Sequence, residues 1–215
     1  MCNLYSHTRA VEAMRALFAR LDTHGANLAP QPGIYPDYAA PIVTRRPEGH
    51  DLRMARWGLP TPPKFLEGKR TDPGVTNVRN VGSPHWRRWL GVENRCLVPF
   101  TRFSEPSRDA SGKFAPVWFE RVADPEGAFF AGIWVPGWTS VRKLRTGQET
   151  ANLYAFLTTT PNAEVGAIHP KAMPAILTEP EEWETWLTAP WAEARALQRP
   201  LPDGALRTAE PPRAD

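Results

Sequence analysis

The sequence predicts an α+β fold in a single domain, and three observations carry that prediction. Strand-length apolar runs alternate with amphipathic segments of helical period, which is the pattern of strands and helices mixed in one layer system. The chain contains 24 prolines and 15 glycines, enough to punctuate many short elements with turns. Its 215 residues include 41% hydrophobic side chains and nine tryptophans, sufficient for one sizeable core. No internal repeat and no linker divides the chain.

The first helix is predicted over Thr8 to Leu21, where Val11, Met14, Phe18 and Leu21 recur at helical spacing and Arg9, Glu12, Arg15 and Arg20 stay polar. A Pro/Gly-rich passage follows, with Ile42-Val43 as a short strand among turns. Further strands are predicted around Met54 to Leu59, Arg95 to Phe100, Phe129 to Trp134, Leu153 to Thr160 and Ala175 to Leu177. Two short helices share one design: Trp86, Trp89 and Leu90 line a face behind a Ser83-Pro84 start, and Trp183, Trp186 and Leu187 repeat the spacing. Core packing explains both stripes. Residues 198–215 are rich in proline and polar side chains, so the domain is expected to span 2–197 and to end in a disordered tail.

Charge decides little, since a formal net charge of +3 permits an anionic partner without demanding one. No apolar run approaches the roughly 20 residues of a membrane span, and the start lacks a signal peptide's apolar stretch, so a cytoplasmic protein is expected. Two cysteines in so long a chain do not make a disulfide framework, and Cys96, inside an apolar run, reads as a buried core thiol. CxxC and HExxH spacings are missing and the five histidines are scattered, so neither a metal site nor a cofactor is expected.

Cys2 directly follows the initiator methionine. Removing Met1 would leave an amine and a thiol on neighbouring carbons. An α-amino group titrates at about 7.7–8.0 against about 10.4 for lysine, so near neutral pH part of it is nucleophilic. With an aldehyde it forms a Schiff base, and the adjacent thiol then closes a five-membered thiazolidine ring. An N-terminal-nucleophile amidohydrolase uses the same pair differently, its amine serving as base for the thiol's attack on a glutamine amide. A small apolar residue near a chain end is the plainer alternative.

Four segments then matter together: WGLP at Trp57 to Pro60, TNVRN at Thr76 to Asn80, RCLVPFTRFSEP at Arg95 to Pro106, and IHPKAMPAIL at Ile168 to Leu177. With the N-terminal Met-Cys, their order and spacing resemble the SOS response-associated peptidase (SRAP) family, the abasic-site-processing proteins that crosslink to single-stranded DNA. The resemblance implies a mixed, largely antiparallel β core flanked by short helices. It also implies that Cys2 is the nucleophile and that the product is a thiazolidine crosslink to an abasic site, with peptidase activity confined to N-terminal autoprocessing. Asn77 matches the asparagine beside the nucleophile, Glu105 the proton-accepting glutamate, and His169 the histidine that shuttles a proton to the sugar oxygen. Taken singly, Glu105 would read as a turn residue, His169 as a core histidine and Asn77 as part of a turn.

For DNA, Arg79 matches a phosphate-binding arginine, and Arg87 and Arg88, opposite the tryptophan stripe, either add charge to a groove or form a solvated helix face. Trp57 and Phe65 are the candidates for base stacking, although a WGL stretch more often belongs to a core. The implied partner is single-stranded DNA containing abasic sites, bound by a monomer that associates with the nucleoid when on DNA. Four departures stand against the family pattern: Asn3-Leu4 in place of Gly-Arg, Asn80-Val81 where an acid is usual, Pro106 after the glutamate, and one extra residue before Met173-Pro174. Glutamine hydrolysis marks the amidohydrolase alternative. Salt-sensitive binding that never becomes covalent marks a third, a DNA-binding module without chemistry.

Overall fold

A computed structural model describes residues 2–18, 20–24, 28–123 and 127–213. The chain begins with β1 (Leu4–His7), α1 (Val11–Leu17), β2 (Leu21–Asp22), β3 (Gln31–Ile34), β4 (Ala39–Arg46) and β5 (Gly49–Trp57). The middle contributes β6 (Asn77–Val78), α2 (Pro84–Arg87), β7 (Arg95–Pro99), β8 (Arg102–Glu105), β9 (Val117–Arg121), β10 (Phe129–Val141) and β11 (Gln148–Thr159). The last part holds α3 (Ala163–Gly166), β12 (Met173–Pro174), β13 (Ile176–Leu177), α4 (Pro180–Thr188), α5 (Trp191–Ala194) and β14 (Leu206–Ala209).

The larger sheet closes on itself. Strands β11, β10, β7, β4 and β5 pair in that order, and β5 returns to β11 through a parallel pairing of Leu153 with Arg56 and Tyr154 with Trp57. Closure removes the exposed edges that an open sheet would present. A second sheet, ordered β14-β9-β8-β1-β3, is antiparallel throughout and carries the N-terminal strand in its interior. The fold is therefore α+β, as the sequence predicts, with the mixed, largely antiparallel core that the resemblance implies.

Period-2 alternation divides the barrel strands between two clusters. Phe129, Ala131, Ile133, Leu153, Ala155 and Leu157 join the cluster that includes Met14, Trp86, Trp183 and Trp186. Their neighbours Phe130, Tyr154 and Phe156 join Cys2, Tyr5, Trp57 and Cys96 in the other. Both tryptophan stripes are core, and Cys96 is fully buried, as expected.

Several boundaries differ from expectation, among them β4 and β5, which begin earlier than predicted, and α2, which ends at Arg87 before Trp89 and Leu90. The first helix is shorter than Thr8 to Leu21: Phe18 already has extended backbone, and Leu21–Asp22 leaves to pair in parallel with β5. That turn is tight. Arg20 has a positive φ of 59°, and a Cβ on Gly49 would lie 2.5 Å from its carbonyl oxygen, so glycine is required opposite. Strands β10 and β11 run far beyond their predicted cores because they form one long hairpin from Gly132↔Phe156 to Val141↔Gln148. The C-terminal segment is not a disordered tail: β14 pairs with β9, and Leu201 and Leu206 are buried at 4% and 2% exposure. Two leucines among prolines are enough to anchor it.

Candidate active site

Strand β1 runs antiparallel to β8 with Leu4 opposite Ser104 and Tyr5 opposite Phe103, so the residues before Leu4 are carried alongside Glu105. Cys2 is fully buried there, its thiol directed to the Leu4 carbonyl at 3.5 Å. Asn77 arrives on β6, which adds in parallel to β11 through Asn77↔Phe156 and Leu157↔Val78. Its Nδ2 donates to the Cys2 carbonyl and to Thr76 Oγ1, each at 2.8 Å.

Glu105 ends β8 and has no exposed surface. His169 follows α3, its backbone N–H on the Val165 carbonyl at 2.7 Å, and its Nδ1 lies 2.9 Å from the Ala172 carbonyl and 3.5 Å from Glu105 Oε2. A carbonyl oxygen only accepts, so Nδ1 carries a proton, and in the neutral ring Nε2 is the basic nitrogen. The four residues that the resemblance singles out thus come together from four separate stretches of chain.

The electrostatics follow from burial. Desolvation pushes the Cys2 thiol well above its usual range, and the Glu105 charge adds to the rise. Burial also raises the Glu105 carboxyl, while the charge of His169 and a hydrogen bond from the Cys2 backbone amide pull it back in part. A raised carboxyl beside a thiol that resists ionising suits proton exchange with a neighbouring amine better than generation of a thiolate.

Trp57 does not serve base stacking: it is 1% exposed. Instead it packs edge-on against Tyr5 at 5.1 Å and donates through Nε1 to the Thr76 carbonyl at 3.0 Å, which fixes the residue before Asn77. Phe65 is 55% exposed and flanks a cavity of about 550 Å³ that His85 and Trp86 also line. Arg79, Arg87 and Arg88 are exposed, and Arg88 stacks on Trp89 at 4.0 Å.

Two features escaped the sequence. Tyr5 and Tyr154, both fully buried, share a short hydroxyl–hydroxyl hydrogen bond beneath the site. The polar end of Tyr154 inside an otherwise apolar run was the available signal. Arg142, 8% exposed, donates to the carbonyls of Gly58 and Asp72, and a Cβ on Gly74 would lie 2.2 Å from its guanidinium. It thereby locks the loop joining Trp57 to Asn77. Elsewhere, Asp22, His24 and Asp51 converge, but Arg46 contacts both carboxylates and Arg53 pairs with Asp51. Two guanidiniums thus already neutralise those carboxylates.

A closed barrel with an N-terminal cysteine, an asparagine, a glutamate and a histidine converging beside it defines the class. The chain belongs to the SOS response associated peptidase (SRAP) family, whose model matches residues 1–210. That match includes β14. Among solved structures, a protein from Bordetella bronchiseptica is 26% identical, with 97% of this chain and 98% of that chain covered and a TM-score of 0.67. A phage-related protein from the same organism, 21% identical over 97% of this chain and 93% of its own, has a TM-score of 0.68 and shows the shared fold. No curated protein matches the chain. The family's description links it to the SOS response and to a peptidase. Among the described residues, no helix is long and apolar enough to cross a membrane.

Proposed function

We propose that the protein captures abasic sites in single-stranded DNA by forming a thiazolidine between Cys2 and the ring-opened sugar. One observation carries this reading: the antiparallel register of β1 on β8, with Leu4 opposite Ser104, brings the backbone nitrogen of Cys2, which would become the α-amine once Met1 is removed, beside the buried carboxylate of Glu105. A proton acceptor already faces the atom that must attack.

The steps balance without an added reactant. His169 Nε2 takes the proton of the anomeric hydroxyl and passes it to the sugar ring oxygen as the hemiacetal opens, releasing the aldehyde. The amine attacks the carbonyl carbon, Glu105 carries the two amine protons in turn to the carbonyl oxygen, and that oxygen leaves as water to give the imine. The thiol then adds across the C=N bond, its sulfur to carbon and its proton to nitrogen. Asn77, holding the Cys2 carbonyl at 2.8 Å, keeps the residue oriented while both of its nucleophiles react in turn. The same buried pair of thiol and carboxylate suits cleavage of the bond preceding Cys2, which agrees with the peptidase in the family's description.

Incubating the purified protein with abasic single-stranded DNA is expected to give a conjugate that survives denaturation and is absent in Cys2→Ala. Glutamine hydrolysis without a conjugate would instead support the amidohydrolase reading, and binding that outlasts removal of Cys2 without crosslinking would support a module without chemistry.

A further inference from the structure

The segment after α5 runs back over the elements that hold the site. Gln198 donates through Nε2 to two carbonyls, those of Arg79 and Thr158, each at 2.9 Å. The register of β6 on β11 pairs Asn77 with Phe156 and Val78 with Leu157, so Arg79 and Thr158 stand where the next pair would fall. A two-residue strand is a weak attachment. Gln198 continues it, with one amide proton for each carbonyl.

Further on, the same segment grips α3. Asp203 Oδ1 accepts from the Ala163 backbone N–H at 2.8 Å, Gly204 N–H donates to Glu164 Oε1 at 2.7 Å, and Asn162 Nδ2 donates to the Pro202 carbonyl at 3.3 Å. A helix of four residues is too short to persist on its own hydrogen bonds, and His169 hangs from its Val165 carbonyl. Leu201 and Leu206 anchor the segment in the cluster that also holds Cys2, Val165 and Met173.

We propose that Gln198 and Asp203 are positioning residues of the site, Gln198 through the strand that carries Asn77 and Asp203 through the helix that carries His169. The inference rests on reading Cys2 as the aldehyde-trapping nucleophile. Both side chains act through backbone they hold, and a misplacement of about 1 Å at such a distance is enough to slow a reaction on the order of a hundredfold.

Gln198→Ala, Gln198→Glu, Asp203→Ala and Asp203→Asn are to be compared with the parent protein on abasic single-stranded DNA. The rate at saturating DNA and the half-saturating concentration are measured separately, and amide hydrogen exchange is followed without DNA. The expected result is a fall of roughly tenfold in the saturated rate for Gln198→Ala, Gln198→Glu and Asp203→Ala, with half-saturation unchanged. Asp203→Asn, which keeps an accepting oxygen, recovers most of the rate. Faster exchange is confined to the amides around residues 78–80 in the Gln198 variants and 163–169 in the Asp203 variants. Saturated rates within about twofold of the parent, or a slowing that Asp203→Asn shares in full, overturn the proposal. If the parent protein itself forms no conjugate, the reading of Cys2 fails, and exchange alone decides the clasp: faster in the named amides supports it, unchanged overturns it.

Discussion

The side-chain amide of Asn77 donates to the carbonyl oxygen of Cys2 at 2.8 Å, joining two residues 75 positions apart in the chain. That bond is only as well placed as the short strand that carries Asn77, and three unrelated groups hold the strand. Trp57 binds the carbonyl before it, Arg142 locks the loop leading to it, and Gln198 binds the carbonyl beyond it.

Trp57→Phe removes the donor to the Thr76 carbonyl while keeping an aromatic ring in the core. Leaving this half-buried carbonyl unpaired costs about 1 kcal/mol, the low end of the range for a buried group. At about 2–4 °C per kcal/mol for a chain of this size, thermal melting should show a lowered midpoint. Crosslinking should slow in parallel. An unchanged midpoint would remove Trp57 from the scaffold of the site.

Glu105→Gln should stabilise the protein at neutral pH while slowing capture. Burial raises the folded carboxyl above its unfolded value. Between the two values the folded state keeps a proton that the unfolded state has released, so the parent loses stability as pH rises through that window. Glutamine does not titrate. Urea unfolding should therefore find the variant more stable at neutral pH, with the advantage vanishing below the ordinary carboxylate range. A variant less stable at every pH would contradict the assignment of burial as the dominant cause.

His7 produces the opposite slope. It is 1% exposed, neither ring nitrogen has a hydrogen-bond partner among the described residues, and burial, then the charge of Arg9, lowers it from 6.5 to about 3. As pH falls through that interval the unfolded state gains a proton that the folded state refuses, so stability drops by up to about 1.4 kcal/mol per pH unit. His7→Phe should flatten the fall when urea midpoints near neutral pH are compared with those at about pH 5. An equally steep fall in the variant would mean that His7 does not drive it.

If single-stranded DNA is bound as proposed, the exposed Arg87, Arg88 and Phe65 separate two kinds of contact. Removing Arg87 or Arg88 should reduce the salt dependence of single-strand binding by about 0.7 in log–log slope for each phosphate left without its guanidinium. Phe65→Ala should weaken binding by about 1–3 kcal/mol with the slope unchanged, because stacking releases no counterions. Fluorescence anisotropy across a salt series measures both, and unaltered affinity in all three variants would move the DNA path elsewhere.

The barrel strands β4, β5, β7, β10 and β11 and both tryptophan helices were legible because their patterns are local, with alternation along β10 and β11 and Trp86 and Trp183 at helical spacing, whereas none of the strands of the second sheet was read from the sequence. The convergence of Cys2, Asn77, Glu105 and His169 was legible only through the order of four motifs, since no local pattern says that β1 will lie beside β8. What escaped was set by single long-range contacts. Trp57 lies in a WGL stretch of the kind that more often belongs to a core, but nothing local said that its ring would pack on Tyr5. The Pro-rich stretch around Leu201 looked unfoldable by composition, because the partner that buries it, the cluster around Cys2, lies in distant sequence. Arg142 gave no signal of its own, because only tertiary structure brings Gly58 and Gly74 together to make room for it.

The central claim is that amine and thiol of one residue act together, and intact mass of the DNA conjugate tests it most directly. The trimmed protein plus abasic oligonucleotide minus one water is predicted, with no conjugate when an alanine is inserted between Met1 and Cys2, which keeps the thiol but moves the amine one residue away. A conjugate that still contains Met1, or one that forms equally well with the inserted alanine, would contradict it.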